Sequence, residues 1–274
     1  VGDQFMGLTT DGRDAKPIPG AAYCCNVTAT TEIYTFKIRD HKWSDGTPVT
    51  ADDFVFSLQR ILSPAQAAEY ASLLYPIKNA EAINTGKVTD LAQLGAKALD
   101  PKTLQITLEG PTGYFLELLT HYTAFPVPKH VVEAKGAEWI KPGNFVSNGP
   151  FRIVEWTPHA QIVAEKNPQF YDAANVKIDK VIYYPDEDRN EVAKRFRAGE
   201  IDVATDFASE QIDFFKKELP KETHIAPYLG TYYYVPNLKR KPFDDPRVRH
   251  ALSLAVERDA ITADDLEPGD FPAF

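Results

Sequence analysis

The stretch Trp43-Ser44-Asp45-Gly46-Thr47-Pro48-Val49-Thr50-Ala51-Asp52-Asp53-Phe54 decides how the rest of the chain is read. Ser44-Asp45-Gly46 encodes a turn, because an aspartate accepts from the backbone two residues on and glycine tolerates positive φ. Thr50 then starts a helix. Its hydroxyl suits the amide of Asp53 while the Asp53 carboxylate reaches back, a capping box. Asp52 and Asp53 also sit at the positive end of the helix dipole. Phe54, Leu58, Ile61 and Leu62 recur at helical spacing, and Ser63-Pro64 ends the run.

Outward from this stretch, strands and helices alternate. Upstream, Tyr34-Thr35-Phe36-Lys37-Ile38-Arg39 alternates apolar with polar and predicts a strand with Tyr34, Phe36 and Ile38 inward. Downstream, residues 65–75 predict a second helix ended by Pro76, and 80–95 a broken one. Residues 95–99 and 103–108 predict a hairpin about Asp100-Pro101-Lys102, and Thr112 caps a helix over 114–119. Pro126-Val127-Pro128 is stiffened by its prolines and suits a crossing between lobes. A helix about 131–135 precedes the turn Asn148-Gly149-Pro150, and 151–156 with 160–166 predict another hairpin. Residues 181–184 read as a buried strand and 190–198 as a helix closed by Gly199. A short strand at 201–204 and a helix at 210–219 capped by Ser209 come next. Residues 231–235 predict a strand in which Tyr233 faces opposite to Tyr232 and Tyr234. Asp245-Pro246 opens the last helix, with Val248, Ala251, Leu252, Ala255 and Val256 at core spacing. The class is mixed α and β. The turn-rich end around Glu267-Pro268-Gly269-Asp270 carries no closing element and reads as cut.

Composition narrows the function. The 274 residues carry a net charge of −9, which argues against nucleic acid as a main partner. No apolar run reaches the roughly 18 residues of a membrane helix. There is no G-x-S-x-G elbow, no H-E-x-x-H and no P-loop, and His41, His121, His130, His159, His224 and His250 lack ligand spacing. Cys24-Cys25 reads as a pair of half-buried strand residues, since chain neighbours rarely form a disulfide. The acidic pairs Asp52-Asp53 and Asp244-Asp245 precede helices, so capping explains them. For binding, the most suggestive stretch is Tyr232-Tyr233-Tyr234. Tyrosine pairs a large apolar face with a hydroxyl, and either a recognition wall or ordinary strand aromatics fit.

The segment from Arg39 to Phe54, R-D-x-x-W-S-D-G-x-P-V-T-A-D-D-F, resembles one shared by periplasmic oligopeptide-binding proteins, family 5 of the extracellular solute-binding proteins of peptide ABC importers. Further segments resemble that family in the same order. They are Gly110-Pro111 with Tyr114-Phe115, Pro126-Val127-Pro128, Asn148-Gly149-Pro150-Phe151, Lys166-Asn167-Pro168-Gln169-Phe170-Tyr171, residues 195–202, and Phe243-Asp244-Asp245-Pro246-Arg247-Val248-Arg249. The resemblance implies an α/β, type II periplasmic-binding-protein-like fold, two-lobed with an extra small domain and here incomplete. It assigns 1–9 and 126–230 to the first lobe, 10–125 to the accessory domain, and 231–274 to the start of the second lobe. It implies a monomeric periplasmic protein, its signal peptide removed, which needs no cofactor and is not an enzyme. Its partners are then an oligopeptide, enclosed between lobes and held by strand-addition hydrogen bonds, and the membrane permease subunits of an ABC importer. The positions matching the family's ligand-binding wall are Tyr70, Thr205, Asp206, Phe207, Tyr228, Tyr232 and Tyr233.

The chain also departs from the family. Family members are about twice as long, and the acidic residue that receives a peptide's amino terminus falls in the half this sequence lacks. Cys25 stands where a tryptophan is usual, Pro236 replaces a non-proline, Gly230 replaces a cysteine of some relatives, and Leu266 lies near a lysine position. The alternatives are a same-fold binder of an opine, sugar-phosphate conjugate, haem or nickel complex, a hydrolase with an unrecognised site, and a fragment that no longer binds.

Overall fold

The alternating segment around Phe36 forms the spine of an antiparallel sheet. In the computed structural model, which describes residues 6–8, 16–225 and 233–258, it is strand β4 (Ile33–Ile38). The chain divides into two compact units, Val1–Pro185 and Asp186–Phe274.

In the first unit a two-stranded ribbon, β1 (Met6–Leu8) with β2 (Pro17–Pro19), precedes a four-stranded sheet. Its order is β3 (Ala22–Val27), β4, β6 (Thr103–Thr107) and β5 (Ala96–Asp100). The β5–β6 hairpin turns where predicted, with Asp100 Oδ1 accepting from the Lys102 amide at 2.8 Å. Tyr34, Phe36 and Ile38 are all buried, as the alternation requires. Cys24 and Cys25 lie in β3, opposite Lys37 and Phe36; their side chains fall outside the described set.

Helix α1 (Ala51–Leu62) packs on this sheet against β5 and β6. It buries Phe54, Leu58 and Leu62, while Ile61 is only partly covered. Trp43, Leu74, Ile77, Ile83, Leu104, Ile106 and Phe115 complete one continuous core. Each such large apolar side chain contributes about 1.5–3 kcal/mol on burial. Tyr34 shows how a polar atom is accommodated: its ring lies 5.0 Å from Phe115, and its hydroxyl donates to the Thr112 carbonyl at 2.9 Å.

Residues 65–75 do not form the expected helix. Ala67 adopts φ +46°, and this left-handed residue splits the segment into 3-10 turns at Pro64–Gln66 and Ala71–Leu74. The broken helix at 80–95 resolves into α2 (Ala80–Asn84) and a 3-10 turn at Leu91–Gln93. Helix α3 (Phe115–Leu118) is capped at Tyr114 rather than Thr112, whose hydroxyl donates instead to the Gly110 carbonyl at 3.1 Å. After the Pro126–Pro128 segment comes α4 (Lys129–Lys135). A three-stranded sheet then runs β7 (Phe151–Thr157), β8 (Gln161–Lys166) and β9 (Lys180–Tyr183). The prediction of a buried strand at β9 fails: Ile182, Tyr183 and Tyr184 are all exposed.

The second unit holds α5 (Arg189–Arg197), α6 (Ile212–Glu218) and α7 (Pro246–Ala255). Asp188 caps α5 by accepting from the Asn190 and Glu191 amides, and Gly199 closes it at φ +74°. Residues 201–204 are not a strand; Val203 projects into solvent and no described strand lies alongside. A 3-10 turn at Ser209–Gln211 leads into α6, whose N-cap is Gln211; the Ser209 side chain is not described. Phe215 anchors the interior, with the rings of Phe207 at 4.9 Å, Phe214 at 5.6 Å and Phe196 at 6.5 Å.

Candidate functional site

The Trp43–Asp53 segment is a junction rather than a surface turn. Asp45 Oδ1 accepts from the Thr47 amide at 2.9 Å and Gly46 takes φ +90°, the turn the sequence encodes. The capping box forms as well. Asp53, however, does more than cap. Its Oδ2 accepts from the Thr50 amide (2.9 Å), the Thr50 hydroxyl (3.2 Å) and Trp43 Nε1 (3.4 Å), and its Oδ1 accepts from the Lys129 amide (3.2 Å). A buried carboxylate with four donors is a satisfied hub.

Next to it, Ser57 Oγ donates to the Asp53 carbonyl at 2.6 Å and accepts from the Val127 amide at 2.8 Å. Two residues of α1 therefore hold both ends of the 127–129 crossing. The turn itself grips the chain beyond that crossing. His130 Nε2 lies 2.7 Å from Asp45 Oδ2, Ser44 donates its amide to the Ser147 carbonyl at 2.7 Å, and the Ser147 amide returns to Ser44 Oγ at 3.2 Å. Partial burial alone would raise the Asp45 pKa, but the hydrogen bonds from His130 and Thr47 outweigh it and hold the carboxyl below its ordinary value. The sequence announced the turn and the cap but not these partners, which lie 70 to 103 residues away.

Of the residues matched to a ligand-binding wall, Tyr70 lies in the first unit. It is the N-cap of the Ala71–Leu74 turn and 44% exposed. Its ring stands 5.3 Å from His121 and 6.0 Å, edge-on, from Tyr122, while His121 and Tyr122 are 4.0 Å apart. His121 Nδ1 accepts from the Thr123 amide at 3.3 Å and lies 2.7 Å from the Thr123 hydroxyl. Accepting at Nδ1 leaves Nε2 as the protonated nitrogen of the neutral ring. Tyr122 is 61% exposed, and its phenol is pushed up by desolvation and then by the charges of Tyr70 and Glu69. Sequence reading singled out neither His121 nor Tyr122 as a companion of Tyr70. The pairing joins two turns some fifty residues apart, and no local pattern announces it.

Thr205, Asp206 and Phe207 lie in the second unit. Thr205 and Asp206 are exposed, and Asp206 Oδ2 pairs with Arg189 at 2.8 Å. Phe207 turns partly inward onto Phe215, so its ring serves the interior. Tyr233 is 72% exposed, and residues 233–235 form no strand; Tyr234 is exposed as well, against the expected alternation. Tyr228 and Tyr232 lie outside the described residues. Among the described residues no group of three or more His, Cys, Asp or Glu could hold a metal ion. No described helix is long and apolar enough to cross a membrane.

Comparison with known proteins gives this architecture its class. The structure is similar to that of Haemophilus influenzae OppA in complex with RPPGFSPFR, with a TM-score of 0.88 and 37% identity over 97% of this chain and 52% of that one. The fold is thus the mixed α/β, type II periplasmic-binding-protein-like one, present in part. By sequence the chain is 42% identical, over 99% of its length, to the periplasmic oligopeptide-binding protein OppA of Salmonella typhimurium. It is 40% identical, over 94%, to the probable deoxycholate-binding periplasmic protein YgiS of Escherichia coli. The chain spans about half the length of these curated relatives, 50% and 49%. It belongs to the bacterial extracellular solute-binding proteins, family 5, whose model matches residues 16–273.

Proposed function

We propose that this chain is part of an extracytoplasmic solute-binding protein that captures oligopeptides and delivers them to an ABC importer. The observation that carries the reading is the 42% identity, spread over 99% of the chain, to a protein named for periplasmic oligopeptide binding. A relative of the same fold in complex with a nonapeptide supports it. On this reading the protein is monomeric and periplasmic, acts after loss of its signal peptide, catalyses no reaction and needs no cofactor. Its partners are a peptide and the permease subunits of the importer. Residues 1–9 and 126–230 belong to the first lobe, 10–125 to an accessory domain and 231–274 to the second lobe. Tyr70, Thr205, Asp206, Phe207, Tyr228, Tyr232 and Tyr233 are the proposed ligand contacts. The exposure of Tyr70 and Tyr233 favours them, whereas the inward turn of Phe207 makes it the weakest of the set.

Isothermal titration of the purified protein with RPPGFSPFR and with mixed tri- to pentapeptides tests the reading. A micromolar or tighter Kd, about −8 kcal/mol or better, supports it. Absence of heat with every peptide overturns it. The 40% identity to a probable deoxycholate-binding protein favours a second reading, a same-fold binder of an amphipathic solute. Titration with deoxycholate separates the two.

A further inference from the structure

Three chain segments cross beside the start of β5. The Lys78 amide donates to the Thr107 carbonyl at 2.9 Å, the Gly95 amide to the Lys78 carbonyl at 2.8 Å, and the Thr107 amide to the Gly95 carbonyl at 2.7 Å. Their neighbours Ile77, Leu94 and Leu108 are buried, so the crossing is anchored in the core. Gly95 has no room for a side chain: a Cβ there would stand 2.4 Å from the Thr107 carbonyl oxygen and 2.7 Å from Lys78 Cβ. Around this close approach lies a cleft of about 400 Å³, with Lys78, Asn79, Gln93, Lys97 and Thr107 among its lining residues. That is within the usual size of small-molecule sites, about 300–1,000 Å³. Glu109 Oε1 accepts from the Asn79 amide at 2.6 Å, and Asp90 Oδ1 from the Ala92 amide at 2.9 Å, so these carboxylates are taken up by backbone donors. Lys78 and Lys97 are exposed, and among the described residues neither pairs with an acidic group, unlike Lys102, Lys141, Lys194 and Lys217. In a chain with 39 acidic and 30 basic residues, two unpaired lysines lining one cleft run against the composition. An anion between them relieves their mutual repulsion.

We infer that this cleft binds a small phosphorylated solute, with Lys78 and Lys97 on the phosphate. An ammonium is a compact point charge with three rotatable donors. It suits a tetrahedral oxyanion, whereas planar carboxylates favour the fork of an arginine. Gln93 and Thr107 supply an amide and a hydroxyl for the hydroxyl groups of the esterified part. The site uses none of the proposed peptide contacts and stands whether or not peptides bind.

The test follows backbone amide resonances of the whole protein during titration with inorganic phosphate and with glycerol 3-phosphate, against sodium chloride at matched ionic strength. Both phosphates should shift the Gly95 and Thr107 amides saturably, with a Kd of about 1 mM for inorganic phosphate. Glycerol 3-phosphate is expected to bind about threefold or more tighter, through its added hydroxyl contacts. Lys78→Gln and Lys97→Gln, both at exposed positions, should each weaken binding about fivefold to tenfold, the loss of one charged hydrogen bond discounted for solvent. Lys97→Arg, which keeps the charge, should retain most of it. Shifts reproduced by chloride reduce the effect to screening and overturn the site. So does a Kd unmoved in the double lysine-to-glutamine variant, which places the phosphate elsewhere. Succinate binding as tightly as glycerol 3-phosphate overturns the assignment to phosphate.

Discussion

Helices α1 and α7 begin alike and end differently. Each uses an aspartate at its opening: Asp53 completes the capping box begun by Thr50 on α1, and Asp245 accepts from the Arg247 amide at 2.8 Å at the start of α7. Each repeats apolar residues at core spacing. Yet α1 buries Phe54, Leu58 and Leu62, while α7 buries none of its residues, with Leu252 and Leu254 exposed. Capping and periodicity are local properties, whereas burial depends on what lies opposite. Helix α1 has a four-stranded sheet and the 127–129 crossing against it. No described element covers the apolar face of α7. An amphipathic pattern therefore states what a helix is ready to bury, not what it buries.

The contrast predicts a graded set of effects on urea unfolding. The largest belongs to Trp43, which is fully buried and donates to Asp53. Trp43→Ala should cost about 3–5 kcal/mol, the usual penalty for emptying a large aromatic site. A loss under about 1 kcal/mol would mean that the α1 junction is not the keystone of the first unit. Asp53→Ala comes next. It leaves the Thr50 and Lys129 amides and Trp43 Nε1 without their carboxylate, at a cost of about 2–4 kcal/mol. Faster amide exchange at Lys129 and Thr50 would localise the damage to the crossing. Asp245→Ala removes only a cap and should cost about 1 kcal/mol, seen as fraying of α7 in helical signal. Leu252→Ala should fall within about 0.5 kcal/mol, as exposed positions do. A penalty like that of Trp43→Ala would mean that the face of α7 is buried after all.

A pH measurement sharpens the comparison inside the first unit. His41 is buried, with Nδ1 3.0 Å from the Arg39 carbonyl and its ring edge-on to Tyr171. Burial, ahead of the neighbouring Lys102 and Arg39 charges, lowers its pKa from 6.5. The unfolded chain then takes up the proton first. Stability from His41 is therefore intact above about pH 6.5 and is lost as pH falls towards the lowered folded value. Unfolding followed between about pH 8 and 5 should steepen below that point, and His41→Phe should remove the slope. An unchanged slope in that variant would assign the effect to other groups.

The small devices were legible from the residues alone: the Asp45-Gly46 turn, the Thr50–Asp53 cap, the inward face of β4, the β5–β6 and β7–β8 hairpins and the opening of α7 at Asp245-Pro246. Each is decided by residues within a few positions of one another, where side-chain reach and allowed φ leave few choices. Motifs in family order carried the class. Tertiary structure decided the rest. It set Ala67 left-handed, so that residues 65–75 became two 3-10 turns, exposed the β9 strand that its apolar run placed inside, and left 201–204 unpaired among the described residues. It also converted a capping aspartate into a four-donor hub and gathered His121 and Tyr122 around Tyr70. The reach of the hub from Asp53 to Lys129 and the aromatic cluster join residues about fifty to eighty positions apart. They are fixed by which surfaces meet when the core closes, and no spacing along a single segment encodes that.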